Sequence, residues 1–74
     1  GGTCFIIADG TVNQRNGPGT SYDRVGQLSE GQRVQIVGKT VSTSSFVWYK
    51  LIDDTWVRED TIRLDGICSN IPDV

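Results

Sequence analysis

The chain has 74 residues and a mass of 8.1 kDa, enough for one domain, and a domain this short buries only about 60% of its unfolded surface. With 36% apolar and 22% charged residues, it is too apolar to stay disordered yet lean for a self-sufficient core. Seven Lys and Arg against nine Asp and Glu give a net charge of −2; this argues against a nucleic-acid partner, which needs clustered positive charge, and no apolar run approaches the ~18 residues of a membrane span.

In chain order the sequence reads as short strands punctuated by turns. No signal-peptide pattern opens it. Gly1-Gly2 reads as a cloning remnant, so residues 1–3 lie outside the domain and a natural leader could have been removed. Cys4-Phe5-Ile6-Ile7 is a β-rich opening, and Asp9-Gly10 is a turn signal. Val12-Asn13-Gln14-Arg15 is a short extended piece. The consecutive turn formers Asn16-Gly17-Pro18-Gly19-Thr20-Ser21 make a loop. Residues 22–28 lead to a second tight turn at Ser29-Glu30-Gly31. Arg33-Val34-Gln35-Ile36-Val37 alternates polar and apolar, the pattern of a half-buried strand with Val34 and Ile36 on one face.

The polar stretch 39–45 reads as a hairpin loop. The most apolar segment, 46–52, is followed by Asp53-Asp54 and then Thr55-Trp56-Val57-Arg58, which predicts a hairpin with a two-residue turn. Asp60-Thr61-Ile62 fits a single helical turn, and residues 69–74 read as a tail or linker after a domain spanning 4–68. Five to seven short strands in so small a chain predict an all-β fold, a compact barrel or tight sandwich.

Histidine is absent, which removes the usual general base and the commonest metal ligand. Two cysteines without histidine do not complete a tetrahedral zinc site unless carboxylates help. Asp53 and Asp54 project to different sides if extended, so they do not form the facing carboxylate pair of a glycosidase. The expectation is a non-enzymatic module with no cofactor and no bound metal. Cys4 and Cys68 lie near the two ends. They form either one bridge, in a secreted, periplasmic or cell-surface protein, or two buried thiols in a cytosolic one. Their terminal placement and the small core favour the bridge.

Taken together, the motifs resemble a known family. Val12-Asn13-Gln14-Arg15-Asn16-Gly17-Pro18-Gly19-Thr20-Ser21-Tyr22 resembles the L-N-V-R-x-G-P-G-T-S-Y opening of bacterial SH3-like (Src-homology, SH3b) domains. Residues 25–34, Trp48-Tyr49-Lys50-Leu51 and Thr55-Trp56-Val57 are similar to later motifs of the same family. The resemblance runs over residues 5–64. It implies a small SH3-like barrel with one short helical turn near the C-terminus. Gln14, Thr55 and Thr61 depart from the family pattern, which has an apolar residue, Gly and often Tyr at those places; the cysteine pair is not a general family feature.

Arg15, Gly17, Pro18 and Gly19 are expected to be structural: the glycines and proline shape the loop, and Arg15 ties loop carbonyls or an acid such as Asp23. Strand alternation points Trp48 and Trp56 away from the barrel interior, where an indole offers a rigid binding surface; packing of Trp48 under the 39–45 loop is the competing reading. By family resemblance the domain is a non-catalytic targeting module of a secreted or envelope protein that binds peptidoglycan or its peptide. Trp48, Trp56 and Tyr22 would form an apolar floor, and the loop from Asn13 to Ser21, with Asn16 in it, and the acidic turn, with Asp54, would set specificity. Asp53, Asp54, Glu59 and Asp60 beside that floor would suit cationic or amide groups. The alternative is a protein-interaction or spacer domain within a larger extracellular or envelope protein. In either case a monomer is expected, outside the cell or in the periplasm.

Overall fold

The computed structural model describes residues 3–42 and 45–74. Seven strands follow in order: β1 (Cys4–Ala8), β2 (Val12–Arg15), β3 (Arg24–Leu28), β4 (Arg33–Val41), β5 (Val47–Leu51), β6 (Trp56–Arg58) and β7 (Ile62–Gly66). All pair antiparallel in one sheet of order β3-β2-β6-β5-β4-β1-β7. A single 3-10 turn, Glu59–Thr61, separates β6 from β7, one residue earlier than the helical turn expected at 60–62.

Alternation along the strands builds the interior. Cys4, Ile6 and Ala8 of β1, Val12 of β2, Leu28 of β3, Ile36 of β4, Leu51 of β5 and Val57 of β6 form one buried cluster. Val34, Tyr49, Ile62, Cys68 and Ile71 pack against it. As the sequence predicts, Val34 and Ile36 share the inner face, while Arg33 and Val37 are exposed.

Two connections differ from the sequence reading. β4 runs on to Val41, so the start of the expected 39–45 loop is strand paired with β5 (Lys39 with Tyr49, Val41 with Val47); positions 43–44 of that loop lie outside the described residues. The Ser/Thr content hid a strand because Thr40 pairs with Trp48 and is held by its neighbour. The β5–β6 turn has three residues, not two. Asp54 N–H donates to the Leu51 carbonyl (2.9 Å) and Leu51 N–H to the Thr55 carbonyl (2.8 Å), with Asp54 left-handed at φ 68°. This is a type I turn closed by a left-handed residue, a place Asp tolerates better than most. The tight turn read at Ser29-Glu30-Gly31 is present, with Gly31 at φ 82° as only glycine adopts freely.

The two ends of the chain are fastened together. Cys4 and Cys68 form a disulfide with a Cα–Cα distance of 4.8 Å, as the terminal placement favoured. Arg33 stacks over the Phe5 ring at 3.5 Å and pairs with Asp65 (3.0 Å), linking β1, β4 and β7. Beyond the bridge the tail returns to the barrel. Lys39 N–H donates to the Pro72 carbonyl (2.9 Å), Val74 N–H donates to the Lys39 carbonyl (2.9 Å), and Asp73 forms a parallel bridge with Lys39. Val74 lies over Gly38, where a Cβ would collide with it.

The bridge spans a sequence separation of 64, a loop whose closure stabilises the fold by about 4 kcal/mol on the chain-entropy model. Urea denaturation with and without reductant is expected to show a loss of that order, most of the stability of so small a domain. A midpoint unchanged by reduction would contradict this.

Candidate functional site

The loop between β2 and β3 is set by backbone bonds and one arginine. Asn16 N–H donates to the Asp23 carbonyl (3.0 Å) and Tyr22 N–H to the Gly19 carbonyl (3.3 Å). Arg15 Nη1 donates to the Tyr22 carbonyl (2.9 Å), the carbonyl tie expected of it. The Tyr22 ring lies directly on Gly17, leaving no room there for a Cβ. Gly17 is therefore required by close approach rather than by an unusual φ.

The strand register sets the outer face of the sheet. Thr40, Trp48 and Arg58 stand in one cross-strand row, and Lys50, Trp56 and Arg15 in the next. A pocket of about 140 Å³ opens here. Trp48 and Arg58 line it from the sheet, Thr11, Asn13 and Arg15 from β2 and its approach, Thr20 from the loop and Thr61 from the 3-10 turn. Trp48 is on the face the alternation predicts, but it is only 3% exposed. The expectation of a wet, projecting indole is corrected on this point: Arg58 and Thr40 flank the ring in the sheet, and the pocket reaches it only narrowly. Trp48 Nε1 is buried and has no hydrogen-bond partner among the described residues.

The four carboxylates expected to edge the aromatic surface are committed elsewhere, and none lines the pocket. Asp53 accepts from the backbone N–H (3.1 Å) and hydroxyl (2.6 Å) of Thr55, ordering the turn. Asp54, its side chain 86% exposed, pairs with Lys50 at 3.6 Å. Glu59 accepts from Val47 N–H. Asp60 takes two bonds from Arg58, Nε to Oδ1 at 2.7 Å and Nη2 to Oδ2 at 2.8 Å, while the same guanidinium lies 4.3 Å from the centre of the Phe46 ring. The pocket is thus walled by arginine and threonine rather than by acids.

Of the five expected ligand residues, the structure brings only Trp48 into this pocket. Trp56 is half-buried on the same face but does not line it. Tyr22, 46% exposed, borders a neighbouring hollow with Pro18, Ser21, Val41 and Ser42, and Thr20 lines both. Asn16 is exposed in the loop and Asp54 sits in the β5–β6 turn, both outside the pocket. Asn13 and Thr20 belong to the 13–21 loop expected to set specificity, though neither was singled out; Arg15, expected to be structural, also lines the pocket, and sequence reasoning missed Thr11 and Arg58 and noted Thr61 only as a departure from the family's tyrosine. Alternation along β2 and β6 carried the signal for Asn13 and Arg58, which lie opposite Val12 and Val57.

Two of the family departures meet in space. Gln14, 7% exposed, donates from Nε2 to Thr55 Oγ1 (2.9 Å) and to Asp53 Oδ2 (3.3 Å). The polar side chain on the inner face of β2 is satisfied by the polar residue that replaces glycine before Trp56. Thr61, the third departure, donates its hydroxyl to the Arg58 carbonyl (2.7 Å) and leaves the pocket open where a larger ring would fill it.

The architecture is that of a small antiparallel barrel domain with a pocket on its outer face, and among the described residues no cluster of metal-ligating side chains is present. The chain belongs to the bacterial SH3 domain family, whose model matches residues 10–63. Domains of this family are generally non-catalytic binding or targeting modules, often carried by envelope proteins. No curated protein and no solved structure matches the chain. Among the described residues no helix is long and apolar enough to cross a membrane.

Two measurements check this geometry. A double-mutant cycle on Gln14→Leu and Thr55→Gly is expected to give a coupling energy of at least about 0.5 kcal/mol, because either change removes the hydrogen bond that the two side chains share; additive effects would contradict the bond. The hydrogen bonds from Arg58 hold the Asp60 carboxyl below its ordinary value. A depressed folded-state pKa gives stability that is present above the ordinary carboxylate range and is lost as pH falls through the depressed value. Thermal melts from about pH 6 down to about pH 2 are expected to show a smaller acid-side loss for Asp60→Asn than for the unmutated domain.

Proposed function

We propose that the domain is a targeting module of an envelope or extracellular protein and that it holds a peptide of the bacterial cell wall in the Trp48 pocket. The observation that carries this reading is the pocket itself. It reaches the indole between two arginines and three threonines, and the loop that contributes Thr20 is tied by Arg15 to the Tyr22 carbonyl. Such a site combines a rigid apolar floor with a few convergent polar groups, the usual make-up of a small-ligand site. The disulfide fits an oxidising compartment, where a wall ligand is met.

One observation favours a second reading. With Trp48 only 3% exposed, little aromatic surface is offered to a flat polymer, as suits a spacer or protein-interaction domain. Cosedimentation with purified walls separates the two. The unmutated domain is expected to pellet with walls, and Thr11→Trp, an exposed position that would cap the pocket, is expected to reduce this at least tenfold. A domain that stays in the supernatant with every wall type leaves the spacer reading in place.

A further inference from the structure

The charge inventory of the Trp48 pocket is one-sided. Arg15 gives one donor to the Tyr22 carbonyl and keeps its others unspent among the described residues, out of the five a guanidinium carries. The Asn13 side-chain oxygen accepts from Gln27 (3.1 Å), which leaves the amide N–H groups of this pocket-lining residue uncommitted among the described residues. Trp48 Nε1 is a further donor with no acceptor; being buried, it meets a ligand oxygen only when a covering side chain moves aside. The Thr61 hydroxyl proton is already given to the Arg58 carbonyl. The nearest acid, Asp60, is saturated by Arg58. Two guanidiniums and one carboxylate leave a local positive charge in a domain of net charge −2. The Thr11, Thr20 and Thr61 hydroxyl oxygens can accept, but no carboxylate lines the pocket, and its one uncommitted charge is the cation Arg15.

We infer that the pocket takes the free terminal carboxylate of a peptide, with Arg15 as its charged partner, Asn13 as a second donor and the Trp48 indole beneath the last side chain. This rests on the wall-peptide reading above and narrows it to ligands with an open, uncrosslinked end. Guanidinium pairs with a carboxylate through parallel bonds and prefers it to a neutral amide. A phosphate polymer is disfavoured because a single uncommitted arginine is not the cationic stripe that such a chain needs.

The test is a titration of the intact domain, its backbone and indole N–H resonances followed by NMR, with N-acetyl-Ala-Ala and with the C-terminal amide of the same peptide. The free acid is expected to bind at least tenfold more tightly and to move the Trp48 indole resonance more than that of Trp56. Thr20→Glu and Thr20→Gln, at an exposed loop position of the pocket wall, have nearly the same size and differ in charge. The Glu variant is expected to bind the acid at least tenfold more weakly than the Gln variant. Equal affinity for acid and amide, equal binding by the two variants, no binding of either peptide at millimolar concentration, or inorganic phosphate competing as well as the acid would each overturn the inference. Walls retained by Thr20→Glu as well as by Thr20→Gln would sink the carboxylate and spare the targeting role. Acid binding without wall binding would do the reverse.

Discussion

The fold depends on the covalent link between Cys4 and Cys68. The interior cluster is small: eight buried residues, of which Ala8 and Cys4 contribute little volume. Burial of that size is set against an ordering cost of roughly 1–2 kcal/mol per residue for the backbone alone, so closing the chain end to end is a large share of what remains. The placement of the bridge also has a geometric consequence. Cys4 pairs with Gly66 at the start of β1, and Cys68 follows just after β7. The bridge locks the strand that lies between β4 and β7, and it delivers Ile71 to the core and the tail to the side of β4 that β1 leaves unpaired beyond residue 35. The tail thus completes the sheet instead of leaving an open edge.

The sheet buries side chains on both faces, unusual for so little material. Inside is the aliphatic cluster. Outside, Trp48 is covered by its cross-strand neighbours and by the loop and 3-10 turn that wall the pocket. A tryptophan on the solvent side of a strand is expensive to leave wet, and here Arg58 stands beside it in the cross-strand row, its head held by Asp60 and by the Phe46 ring. Asp60, which the sequence placed beside a ligand, is used with that ring to fix the arginine.

The barrel was legible because its signals are local. The β-rich run at 4–7, alternation in β4 and β5, the turn formers at 16–21 and 29–31, and the terminal cysteines each point to one arrangement. What was not legible depends on partners distant in sequence. Thr40 reads as loop until Trp48 is set opposite it. Asp53 and Asp54 read as a two-residue turn until the left-handed Asp54 adds a third residue. Trp48 was placed on the correct face, but no periodicity reports that a loop some 30 residues earlier will roof it. The pocket residues Thr11 and Thr20 have no chemical signature of their own in sequence, since they matter only through where the turns put them, whereas Thr61 was marked by the tyrosine usual at its place.

The three departures from the family pattern bear on the site together. Gln14 and Thr55 replace an apolar residue and a glycine, and each alone is out of place: a polar side chain on the inner face, and a side chain where none is expected. As a pair they form a bond across the β2–β6 seam, which among the described residues is otherwise held by the single pair Arg15 with Trp56. Side chains alternate along β2, so the residues flanking Gln14, Asn13 and Arg15, project to the opposite face, into the pocket. The polar tie on the inner side therefore fixes the position of the two donors on the outer side. Thr61, small where a tyrosine is usual, leaves the space in front of them empty. Substitutions that look like erosion of a binding groove are, in this geometry, what holds a differently shaped pocket open.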